Sequence, residues 1–145
     1  MTTFSDPAYT VLDENDTSGI EALLLGRRIV AAEKGEYARP DTTWGCDATG
    51  RLTLDNGTHV LVAPNQGDCA CSAGDYYLTE LAGVDNIITS VRVVTDESQG
   101  EWQSATVYRI YVVADSVEIN AMTIEGDDGN GYYGTGYELI VLPPA

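Results

Sequence analysis

The fold is decided by Arg51–Ala63, "RLTLDNGTHVLVA". Two apolar runs flank Asn56-Gly57, the pair that best tolerates positive φ at both positions and so favours a two-residue type I′ hairpin turn. A two-residue loop sets Asp55 opposite Thr58, Leu54 opposite His59 and Leu52 opposite Leu61. One face then carries Leu52, Leu54, His59, Leu61 and Ala63. The other carries Arg51, Thr53, Asp55, Thr58, Val60 and Val62. The first is read as the core face.

The pattern extends on both sides. "RRIVAAE" (27–33) has strand character. "NIITSVRVVTD" (86–96) alternates, with Ile87, Thr89, Val91 and Val93 on a core face and Asn86, Ile88, Ser90, Arg92 and Val94 on a mixed face. "ATVYRIYVVAD" (105–115) and "VEINAMTIEG" (117–126) predict a second hairpin turning at Asp115-Ser116. "GYELIVL" (136–142) ends at Pro143-Pro144. The expectation is a mainly β, single-domain antiparallel barrel or sandwich of about six to seven strands. One short helix is expected in "SGIEALLLG", with Ser18 and Glu21 spaced as a capping box and Gly26 as the stop. Residues 1–15 read as an N-terminal arm, loose or docked, and 16–145 as the β-rich domain. "RPDTTWGCDAT" (39–49) reads as a loop.

A chain of 145 residues with 43% hydrophobic content can bury a core of its own. No run approaches the about 20 apolar residues of a membrane span. "MTTFSDPAYT" lacks the basic and apolar regions of a signal peptide, so the expected location is the cytosol. Seven Lys and Arg against 23 Asp and Glu give a formal charge of −16. That balance argues against direct nucleic-acid binding, whose affinity comes from cations on phosphates. It serves solubility, and it also suits docking on a protein partner with a basic surface. A nucleic-acid mimic is the extreme form of that reading.

Two constellations could carry chemistry. "GDCACSAGD" (67–75) holds Cys69 and Cys71 two apart, on one side of an extended segment. With Cys46 and His59 they make three cysteines and a histidine, an allowed closed zinc set. The leading reading is packed thiols, since free cysteine behaves as a small buried hydrophobe. The cofactor expectation is therefore none, with zinc as the alternative. The odd cysteine count argues against a disulfide framework.

The second constellation is "EGDDGNGYYGTGYE" (125–138). It fits neither the calcium-loop template nor a phosphate loop, because glycines fall where ligands belong in one register, Tyr133 falls where the sharp-turn glycine belongs in the other, and no Lys follows the glycines. Asp127, Asp128, Asn130, Tyr132, Tyr133 and Tyr137 are read as a turn or a contact surface, tyrosine supplying area with few rotamers. Neither Gly-x-Ser-x-Gly nor His-Glu-x-x-His occurs, and no catalytic residue is assigned.

The motifs "CACSAGDYYLTEL", "NIITSVRVV" and "GDDGNGYYGTGYELIV" resemble a family of small acidic proteins with a domain of unknown function. These are encoded by bacteria and their phages, and the forms most like this chain occur in phages of actinobacteria. The resemblance covers about residues 26–142. It implies a phage setting in the host cytosol and no particular reaction. The leading expectation is a non-enzymatic accessory protein that binds a host protein as inhibitor or modulator. The alternatives are a zinc-stabilised domain, a virion component such as a capsid decoration protein, and a small-ligand binder.

Overall fold

The computed structural model describes residues 9–13, 15–38, 40, 47–64, 76–99, 104–129 and 137–144. It is a sandwich of two antiparallel sheets. The first contains β1 (Thr10–Asp13), β2 (Ile29–Tyr37), β3 (Ala48–Leu54), β4 (His59–Pro64) and β9 (Tyr137–Leu142), in the order β1-β9-β4-β3-β2. The second contains β5 (Tyr76–Leu81), β6 (Ile88–Gln99), β7 (Ser104–Ala114) and β8 (Val117–Gly129), in the order β5-β8-β7-β6. The sheets do not close into a barrel. Two strands exceed the sequence expectation: β1, contributed by the N-terminal arm, and β5, within "DYYLTEL".

The decisive hairpin forms, one residue out of the expected register. Thr53 stands opposite His59 and Leu52 opposite Val60. The loop has three residues rather than two. The Leu54 amide donates to the Thr58 carbonyl at 2.8 Å, and the Gly57 amide donates to the Leu54 carbonyl at 3.0 Å. Gly57 takes φ +90°, the left-handed bulge position that follows a turn in three-residue hairpins. The Asn56 side chain accepts the Thr58 amide at 3.1 Å and fixes the turn. Because side chains alternate with period two, this slip moves every β4 side chain to the opposite face. Val60 and Val62 join Leu52 and Leu54 in the core, whereas His59 joins Arg51 and Thr53 on the outer face.

A second slip occurs at the start of β6. Ile88 is opposite Ala114 and Ser90 opposite Val113, so Thr89 is a bulge. Ile88 is buried and Ile87 is 47% exposed, reversing the expected pair. Beyond the bulge, Val91 and Val93 point inward as expected and pack against the core. The β7–β8 hairpin turns where expected, with Asp115 at φ 54° and Ser116 at φ 62°, a type I′ turn made without glycine.

The sandwich core comprises Leu52, Leu54, Val60, Val62 and Leu139 from one sheet and Leu78, Ile110, Val112, Met122 and Ile124 from the other. Burying each such side chain contributes roughly 1.5–3 kcal/mol. Helix α1 (Thr17–Leu24) buries Ile20 and Leu24 against this core. The expected capping box is not formed: Asp16 is the N-cap, with no side-chain cap bond, and Ser18 lies inside the first turn. Gly26, at φ +78°, ends the helix as expected.

Residues 26–29 tie the layers together. The Gly26 amide donates to the Ile88 carbonyl at 2.9 Å, and the Ile88 amide to the Arg27 carbonyl at 2.8 Å. Ile29 and Val84 exchange two bonds of 3.0 Å, and the Asp55 amide reaches the Arg28 carbonyl at 3.0 Å.

Candidate functional site

The slipped hairpin places a polar group on the outer face of the five-stranded sheet. Thr53 Oγ1 and His59 Nδ1 lie 3.0 Å apart. Next to Thr53 on the same face of β3, Arg51 Nη2 donates to Glu33 Oε1 at 3.2 Å, and the guanidinium lies 4.8 Å from the centre of the Tyr37 ring. These contacts follow from pairing: Arg51 faces Glu33 across β2 and β3, and Tyr37 lies further along the same edge strand. A smaller apolar cluster of Ala48, Leu61, Ala63 and Ile140 lies on this sheet apart from the sandwich core.

The outer face of the four-stranded sheet carries a second polar array. Arg92 makes a two-pronged contact with Glu118, at 2.8 and 3.3 Å, and stacks 4.6 Å from the Tyr111 ring centre. The Glu118 hydrogen bond raises the Arg92 guanidinium above its ordinary pKa, against a smaller opposing effect of desolvation. Arg109 is paired with Asp96. Asn120 Nδ2 donates to Glu80 Oε2 at 2.8 Å and to Thr123 Oγ1 at 2.6 Å. At the hairpin end Arg27 lies 3.7 Å from Asp55, and Lys34 Nζ donates to the Thr79 carbonyl at 2.7 Å.

These contacts give the charge balance a spatial form. Arg27, Arg51, Arg92 and Arg109 each face a carboxylate of the chain itself. Every described acidic side chain is exposed except Glu138, which is half-buried. Among the described side chains the excess of acid therefore faces solvent. The sequence shows the imbalance but not this pairing, which depends on cross-strand register.

Of the ten expected site residues, His59, Asp127, Asp128 and Tyr137 are among the described residues. Cys46, Cys69, Cys71, Asn130, Tyr132 and Tyr133 lie outside the described residues. His59 is half-buried on the outer face, away from the core face expected for it. Asp127 and Asp128 belong to the end of β8, with Asp127 opposite Ala105. Tyr137, read as contact surface, is fully buried, its ring 5.0 Å from that of Tyr108 at 71°, an edge-to-face pair. Among the described residues no three His, Cys, Asp or Glu side chains group to hold a metal ion. No described helix is long and apolar enough to cross a membrane.

Fold and surface together define a two-sheet β-sandwich domain with four arginines paired internally and the acids of the described residues turned outward. Residues 22–139 match the family described as a domain of unknown function, DUF7448, and the chain belongs to that family. The matched span runs from within α1 to within β9, so β1 lies before it. No curated protein and no solved structure matches the chain.

Proposed function

We propose that the chain is a non-enzymatic binding protein that docks its acidic surface on a basic surface of a partner protein. In the phage setting suggested by the sequence resemblance, the partner is a host cytosolic protein that the chain inhibits or modulates. The observation that carries this reading is the internal pairing of four arginines while the described acids face solvent. Such a surface attracts and orients cationic partners over distances set by salt screening.

The test is affinity capture from host lysate on the immobilised chain, with elution by rising salt. A basic protein released by about 1 M salt, where the screening length is about 3 Å, supports the reading. Recovery of nothing above a charge-matched acidic control protein overturns it.

A zinc-stabilised domain is the second reading, favoured by one contact. Thr53 holds the His59 ring by Nδ1. If Nδ1 carries the proton and donates to Thr53, Nε2 presents a lone pair to a metal, the usual support for a ligating histidine. Cys46, Cys69 and Cys71 would supply the remaining ligands.

A further inference from the structure

Strand β6 is an edge of the four-stranded sheet, and its outward backbone groups determine what can lie beside it. The two-residue turn makes Ala114 and Val117 the hydrogen-bonded closing pair of the β7–β8 hairpin. Ala114 and Val112 therefore direct their amides and carbonyls to β8, while Val113, Tyr111, Arg109 and Val107 direct theirs to β6. Opposite those four stand Ser90, Arg92, Val94 and Asp96. The residues between them, Val91, Val93, Thr95 and Glu97, point their amides and carbonyls away from the sheet. Ile88, opposite Ala114, shows the same orientation with both groups occupied by Gly26 and Arg27.

The other edges are shorter or interrupted. β1 has four residues, β5 has six and a bulge, and β2 has two register shifts together with Glu33, Lys34 and Glu36. β6 has twelve residues and a single irregularity at its start, with no Pro, Gly or Lys. Pro, Lys and bulges are usual devices that protect an edge, and the charges β6 does carry, Arg92, Asp96 and Glu97, are of both signs and can pair across a seam. Helix α1, eight residues and about 12 Å long, is too short to cover a strand of about 40 Å.

We propose that β6 pairs antiparallel with β6 of a second copy, about a two-fold axis at Val94, joining two four-stranded sheets into one. This inference is independent of the partner-docking reading. The register is chosen by charge and by the backbone. Val93 meets the partner's Thr95 and Val91 meets the partner's Glu97, so all four outward residues are paired. Arg92 then stands across from the partner's Asp96, once on each side of the axis. With the existing pairs, each side carries a row of alternating sign: Glu118, Arg92, the partner's Asp96, the partner's Arg109. Moving the axis to Val93 sets Arg92 opposite the partner's Val94 and loses both charge pairs. Strand pairing alone buries less than a standard interface, and the like net charges repel, so association is concentration-dependent and favoured by moderate salt.

Sedimentation velocity of the full chain in about 0.15 M salt, where screening is about 8 Å, tests the proposal. A monomer–dimer equilibrium is expected. Thr95→Pro removes an outward amide without breaking a β6–β7 bond and weakens dimerisation about tenfold or more. Val94→Lys sets two ammonium groups together on the axis and weakens it without altering the backbone. Arg92→Asp and Asp96→Arg each place like charges across the seam, whereas mixing the two variants restores opposite charges at both pairs and yields the mixed dimer. Circular dichroism confirms that each variant retains its sheets. A chain that stays monomeric to about 1 mM overturns the proposal, since that excludes even weak association. A dimer indifferent to the folded Thr95 and Val94 variants, or a charge-variant mixture no tighter than either variant alone, also overturns it.

Discussion

Thr53 stands directly across from His59, its hydroxyl 3.0 Å from the ring Nδ1. A two-residue turn would have set Leu54 there and put the imidazole in the core. The difference lies in Gly57, whose φ of +90° adds a third residue to the loop. Gly57→Ala forces a Cβ into the left-handed region and to within 3.2 Å of Pro144 Cβ. The expected loss is about 1–2 kcal/mol, read from the urea midpoint at unchanged slope.

Thr53→Val keeps the shape of the strand and removes the hydroxyl from His59. The expected cost is about 1 kcal/mol, the net worth of one half-buried hydrogen bond. His59→Ala in the same background should then cost less than in the parent chain, since the pair is already broken. Equal costs in both backgrounds would mean that the contact contributes nothing.

Gly50 lies beneath Leu78, where the two sheets meet. A Cβ at Gly50 would collide with Leu78 Cδ2 and approach the Glu33 carbonyl to 3.4 Å. Gly50→Ala should destabilise by about 1–3 kcal/mol through overpacking. Adding Leu78→Ala should relieve part of that loss, so the double variant is more stable than the sum of the single effects. Strict additivity in chemical denaturation would count against this contact.

The Asp115–Ser116 turn holds two non-glycine residues at positive φ. Ser116→Gly should stabilise the chain by about 0.5–1 kcal/mol, because the left-handed penalty outweighs the added freedom of the unfolded glycine. A lowered melting temperature would show that the serine side chain stabilises the turn by other means.

Native mass spectrometry after expression in zinc-replete medium separates the packed-thiol reading from the metal reading. The expected result is the metal-free mass, with all three cysteines open to alkylation after unfolding. A bound zinc that is lost in His59→Ala would instead establish the four-ligand set.

The sequence made the positions of both hairpins and the antiparallel layout legible, because turn residues and strand periodicity are local. Register was less legible. One left-handed glycine and one bulge at Thr89 reversed the faces of β4 and of Ile87 and Ile88, and neither leaves a signal in alternation alone. β5 went unread because "YYLTEL" follows the cysteine stretch and takes its inward direction only from pairing with β8. Tyr137 looked like binding surface because of its glycine neighbours, yet the ring completes the core beside Tyr108. The pairing of arginines with acids was not readable, since each partner is chosen by register or by a distant turn.

Residues 26–29 bond within four consecutive positions to β6, to the segment after β5 and to the β3–β4 turn. Such a seam leaves neither sheet a private route to disorder. Amide protons at Ile29, Val84 and Ile88 should exchange with solvent only when the entire sandwich opens, and should share one opening free energy. Heat and denaturant would therefore meet a single cooperative melting event, with no half-molted species in which one sheet outlives the other.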